Sequence, residues 1–171
     1  MRYLIGLISS FAIISWANLA IGQSAIEHHL WQDQREFVAF SHTASAITGS
    51  IKLSGNKHFA KKGSTVTLTF GNGKTVKLTQ IVAAWRPWKF NDNQKITAEV
   101  FRFDHDPGKL INGNTLCGNA DSKTPIYVVF YEDHFVGTSD RLLELAMFPS
   151  NRPPHDINSK GICGTYNYSI D

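Results

Sequence analysis

Apolar and polar positions alternate with period two through much of this chain. Ile47, Gly49, Ile51 and Leu53 alternate with Thr48, Ser50 and Lys52. Val66, Leu68 and Phe70 alternate with Thr65, Thr67 and Thr69, and after Gly71-Asn72-Gly73-Lys74 the pattern resumes with Val76 and Leu78. Side chains on a strand point to opposite faces in turn, so this pattern predicts strands with one buried and one wet face, as in antiparallel sheets. Asn72-Gly73 between two such runs predicts a hairpin, because that dipeptide tolerates the positive φ angles of a tight turn. Beyond Leu78 the apolar set moves to Ile81, Ala83 and Trp85. A one-residue bulge near Thr79-Gln80 would absorb that slip and bend the sheet.

Further strands are predicted at Ile96–Phe103, Ile126–Glu132, Leu142–Phe148 and Gly161–Ser169. Ile126 to Tyr131 is apolar on both parities, the mark of a strand covered on both faces. Leu142–Phe148 consists of good helix formers, but Pro149 ends it after seven residues, too short for a typical globular helix, so a strand is expected. The clearest helix is Ser24–Arg35, where Ile26, Leu30 and Trp31 share a stripe. Pro149–Lys160 is a loop inside the domain. The fold expected is one antiparallel β-barrel or β-sandwich of about seven strands with a short N-terminal helix.

The first 22 residues stand outside this pattern. Met1-Arg2-Tyr3 is a charged start, Leu4 to Ala20 carries no charge, and Ala20 and Gly22 have the spacing of a cleavage site before Gln23. These are the three parts of a secretory signal peptide. The competing reading, a retained anchor, is opposed by Ser9, Ser10 and Asn18 within the run and by the lack of a basic stop-transfer flank, so no stable membrane anchor is expected after cleavage. Residues 23–171 then form a single exported domain of 149 residues, periplasmic or secreted. Loss of Arg2 takes Lys+Arg from 17 to 16 against 14 Asp+Glu, a mature charge of +2, which does not predict nucleic-acid binding. Lys57, Lys61 and Lys62 gather at a predicted turn and read as solvated.

An exported chain meets an oxidising compartment, so the only two cysteines, Cys117 and Cys163, are expected to be joined. Their separation of 46 residues is nothing like a redox C-x-x-C pair. By chain entropy a bridge over that loop is worth about 4 kcal/mol. It would pin the glycine-rich run around Cys117 to the last strand.

Candidate chemistry is sparse. Asp104-His105-Asp106 and Glu132-Asp133-His134 have metal-ligand residue types, but neither carries a recognisable ligand spacing, and Asp106-Pro107-Gly108 is a good turn. No metal or cofactor is therefore expected. Gly161-Ile-Cys163-Gly-Thr165 fails as a nucleophile elbow at its last position, and no G-x-S-x-G or nucleotide loop occurs. No catalytic residue is assigned. Asn167-Tyr168-Ser169 matches the glycosylation acceptor tripeptide.

One segment has the composition of an interaction surface. Trp85, Arg86, Trp88, Lys89 and Phe90, interrupted by Pro87, place three aromatics and two cations within six residues. Pro87 keeps them out of a regular central strand, and a loop is expected there. The leading functional expectation is a non-catalytic binding or inhibitory module that recognises a protein or polymer of the cell envelope through these residues. The alternative is a carrier of a small apolar ligand in a barrel lumen, and a third reading is a cell-wall hydrolase.

Overall fold

A computed structural model describes residues 33–55, 63–81, 86–89, 95–118, 123–134, 141–159 and 161–170. The predicted leader and Lys57, Lys61 and Lys62 lie outside these residues. So does the predicted helix Ser24–Arg35, except for Asp33–Arg35, which are not helical.

Strands make up 48% of the structure, as one closed antiparallel barrel of eight strands. In chain order they are β1 (Glu36–Ala39), β2 (Ile51–Gly55), β3 (Thr65–Thr69), β4 (Thr75–Gln80), β5 (Arg86–Lys89), β6 (Lys95–Phe103), β7 (Tyr127–His134), β8 (Arg141–Phe148) and β9 (Gly164–Ser169). The neighbours run β4-β3-β2-β1-β9-β8-β7-β6, and pairing of β4 with β6 closes the ring, which leaves no open edge along the circuit. β5 stands outside the eight and pairs with β6.

Several expectations are met directly. Thr69 pairs with Thr75 across the predicted hairpin. Tyr127 to Tyr131 are all buried, so β7 is covered on both faces. Leu142–Phe148 is a strand.

Other elements differ from the pattern for local reasons. Ile47 belongs to a short helical turn, Ala44–Thr48, and not to the start of β2, which begins only after Gly49. Ser41 accepts the Ala44 N–H at its hydroxyl and the Ser45 N–H at its carbonyl, which starts the turn. Gly49 ends it at φ 64°, a conformation that glycine adopts without strain. The β3–β4 hairpin needs one positive φ, at Gly73. Its Gly73 N–H to Phe70 C=O and Phe70 N–H to Lys74 C=O bonds make a three-residue loop with a bulge, so Asn72 keeps a negative φ.

The predicted bulge at Thr79-Gln80 is absent. Val76, Leu78 and Gln80 are buried in one continuous phase, with Gln80 opposite Phe101. The slip comes later. From the Gln80–Phe101 pair to the Arg86–Ala98 pair there are six steps along β4–β5 but three along β6. The β4–β6 register still holds at Ile81, whose N–H bonds the Val100 carbonyl.

Buried residues form two clusters. The larger, with Phe37, Leu53, Leu68, Leu78, Phe101, Phe130, Leu145, Tyr166 and Tyr168, fills the barrel interior. The smaller, with Val100, Val129, Tyr131, Ala146 and Phe148, lies on the outer face of β6–β8, and Ile126 and Ile157 pack against it. That second layer explains why β7 is apolar on both parities.

Candidate functional site

The two ends of the barrel differ chemically. One end, the floor, is closed by the Ala44–Thr48 turn, the β3–β4 hairpin and the 104–118 segment. Cys117 and Cys163 are joined there, with Cα atoms 4.8 Å apart. Two inward tyrosines on β9 fasten the same floor. The Tyr166 hydroxyl donates to the Leu116 carbonyl (2.7 Å), and the Tyr168 hydroxyl is 2.7 Å from Thr48 Oγ1. Burial raises the pKa of both phenols far above the ordinary range, so both remain protonated donors at any physiological pH. Gly164, next to the bridge, is a close-approach glycine: a Cβ there would lie 2.7 Å from the Leu116 carbonyl oxygen. The predicted pinning of the loop to the last strand is what the fold contains.

The opposite end is polar, and its key residues sit at inward positions where the pattern calls for apolar ones. Gln80 continues the inward face of Val76 and Leu78, and Glu99 continues that of Phe103 and Phe101; each is 1% exposed. Glu99 faces Phe130 across the β6–β7 ladder, and Glu132 is the next residue on that face of β7. Arg141 on β8, in the same inward parity as Leu143 and Leu145, forms an ion pair with Glu132. Arg35, just before β1, lies over the ring of the interior Phe37 at 5.0 Å and pairs with Asp33 at 3.4 Å.

An amide, two carboxyls and a guanidinium therefore climb diagonally across β4, β6, β7 and β8 above an apolar floor. Gln80 is the anomaly among them. Among the described residues, neither its Oε1 nor its Nε2 has a hydrogen-bond partner. A buried amide left in that state costs about 1–3 kcal/mol for each unmet group. The sequence signal for this row is a polar residue in an apolar phase, which at Gln80 mimics a bulge.

The aromatic segment falls at this same polar end. Arg86–Lys89 is a strand and not the expected loop, in register with Lys95–Ala98 of β6. Pro87 is tolerated because β5 pairs on one side only among the described residues, and an edge strand does not need every N–H. Trp85 and Phe90 lie outside the described residues.

Of the remaining candidates, Asp104-His105-Asp106 forms a turn, whereas Glu132-Asp133-His134 is the end of β7. Asp104 Oδ1 accepts the N–H groups of Lys77 and His105, and Asp106 Oδ1 accepts that of Gly108. No group of three or more potential metal ligands occurs among the described residues. One cluster escaped the sequence reading because its residues are of ordinary loop type: His155, Asp156 and Ser159. Ser159 Oγ accepts the N–H groups of His155 and Asp156 and reaches Asp156 Oδ1 at 3.2 Å. A hydroxyl that accepts two backbone donors is a turn cap, and its lone pairs are not poised for attack. Asn167 of the glycosylation tripeptide lies in β9 between β1 and β8, with its carbonyl bonded to the N–H groups of Phe40 and Ser41.

No family model, curated protein or solved structure matches this chain. Its function has to be argued from the barrel itself.

Proposed function

We propose that this protein is an exported, non-catalytic binding module that recognises a component of the cell envelope at the polar end of its barrel. The observation that carries the reading is the position of β5. The barrel closes without it, and β5 adds a short proline-containing edge strand at one end whose sequence, Arg86-Pro87-Trp88-Lys89, is dense in contact-forming residues. A strand that the closed sheet does not need, rich in Trp and Arg, is an economical means of presenting a contact surface. The disulfide supports an oxidising destination for the chain.

The test is co-sedimentation of the purified protein with washed envelope, before and after protease treatment of the envelope. Trp88→Ala should reduce the bound fraction by a factor of about five or more, as expected for an anchor residue, and it should leave the urea midpoint unchanged. Survival of binding after protease treatment identifies a polymer partner, and loss identifies a protein. Equal sedimentation of Trp88→Ala and the parent protein would remove β5 from the binding surface. Edman sequencing of exported protein should begin near Gln23; an intact Met1 in the membrane fraction would contradict export as a free domain.

A further inference from the structure

β5 lies beyond the reach of β3. Gly63 and Ser64, just before β3, bond the backbone of Gln80 at the end of β4, and among the described residues no strand continues alongside β5. β5 therefore has β6 on one side and a free edge on the other.

The ladder determines which backbone groups occupy that edge. In a strand the N–H and C=O of one residue turn to the same side, and the side alternates from residue to residue. The Val100 carbonyl accepts from Ile81 on the β4 side of β6, whereas the Phe103 N–H donates to the Ile126 carbonyl on the β7 side. The continuous strand Lys95–Phe103 thus turns its even-numbered residues toward β4 and β5. Ala98 and Ile96 stand opposite Arg86 and Trp88, so these are the pairs that exchange bonds across β5–β6. Pro87 and Lys89 stand opposite Thr97 and Lys95, whose backbone groups turn toward β7, and they turn their own to the free edge. The one residue of β5 without an N–H therefore occupies a position that would offer a donor to an incoming strand. An exposed strand edge is a template for pairing with another chain, and a proline on it removes that donor.

We infer that Pro87 closes the free edge of β5 to strand addition and so keeps this protein from pairing with a second copy of itself. A second copy carries the same edge, and two β5 strands can meet antiparallel about a two-fold axis, which closes at a dimer. In that arrangement an N–H at position 87 would bond the other copy, and proline leaves the facing carbonyl unmet. The inference concerns the purified protein alone and stands independently of envelope binding.

Amide hydrogen exchange of the parent protein tests the geometry. The Arg86 and Trp88 N–H groups, bonded to β6, should exchange about tenfold or more slowly than the outward Lys89 N–H. Sedimentation velocity tests the consequence. Pro87→Thr restores the N–H with a residue suited to strands. It should form dimers with a dissociation constant about tenfold or more below that of the parent, and the Lys89 N–H should become protected as they form. Addition of Lys89→Pro to Pro87→Thr moves the block to the other outward position and should return the protein to monomer. The double variant also loses a positive charge, which lessens repulsion between copies, so its return to monomer would be due to the backbone. A parent Lys89 N–H as protected as that of Trp88, a parent that dimerises as readily as Pro87→Thr, or a dimer that survives in the double variant would overturn the inference. If Pro87→Thr fails to fold, the exchange pattern of the parent decides alone.

Discussion

Thr48 and Tyr168, 120 residues apart, share a buried hydroxyl–hydroxyl hydrogen bond of 2.7 Å at the floor of the barrel. Thr48 Oγ1 also lies 3.0 Å from the Ala44 carbonyl. One hydroxyl has one proton, so Thr48 donates to that carbonyl and accepts from Tyr168. The short helical turn is thereby fastened to the last strand, and Tyr166, two residues earlier, fastens the disulfide loop in the same manner.

These two bonds should differ in value. Tyr168→Phe removes a donor but leaves Thr48 its bond to Ala44, so a loss of about 1 kcal/mol is expected. Tyr166→Phe removes the hydroxyl donor to the buried Leu116 carbonyl and should cost more, up to about 3 kcal/mol. Urea unfolding of the two variants in parallel would settle the order, and equal losses would contradict the account.

Alkaline stability should follow from the same residues. Below about pH 10 the tyrosines keep their protons in both folded and unfolded chains, so the folded state has its full margin. Above that, the unfolded chain releases phenolic protons that burial makes the folded chain retain at Tyr166 and Tyr168. The unfolded state then binds fewer protons, and stability falls as pH rises. The urea midpoint should begin to drop at about pH 10 and keep falling as the pH rises further, and Tyr168→Phe should flatten that drop. Phenolate absorbance near 295 nm should show a fraction that appears only on unfolding.

Much of this fold was written in the period-two pattern. The β3–β4 hairpin, the doubly apolar β7 and the Pro149-limited β8 each have a local signal, and the cysteine pairing follows from the cysteines' number and the predicted leader. What failed was non-local or depended on one backbone angle. β1 is only Glu36–Ala39, too short for a pattern, and is held by β2 and β9 from far along the chain. Gly49 cuts Ile47 away from β2 by its positive φ. Alternation assigns a face but not what that face requires. Gln80 therefore reads as a slipped phase although it is an inward polar residue, and Glu99 carries no signal that sets it apart.

The close approach at Gly164 makes a sharp steric test. An alanine methyl there would stand 2.7 Å from the Leu116 carbonyl oxygen and 3.1 Å from the Tyr166 hydroxyl. The first contact is with backbone tied to the bridge at Cys117, so it cannot move aside as a flexible side chain would. Gly164→Ala should destabilise by about 1–3 kcal/mol, the usual cost of overpacking. Thermal unfolding checks this, and a neutral substitution would mean that the floor is looser than its geometry implies.

Removal of the bridge should be the most damaging single change at the floor. Cys163→Ser frees a 46-residue loop, which by chain entropy is worth about 4 kcal/mol in the unfolded state. The other attachments nearby, Tyr166 to Leu116 and the Cys163 N–H to the Met147 carbonyl, exist only after folding and leave that entropy untouched. They do hold the native loop in place once the sulfurs part, so the folded barrel should keep its shape while its margin shrinks. A loss of about 2–4 kcal/mol is expected, which for a domain of this size lowers Tm by roughly 5–15 °C. Calorimetry of Cys163→Ser, and of the Cys117→Ser/Cys163→Ser double variant to exclude intermolecular pairing of a lone thiol, gives the measurement. A Tm within about 2 °C of the parent protein would show that the tyrosine contacts, and not the disulfide, set the stability of this end of the barrel.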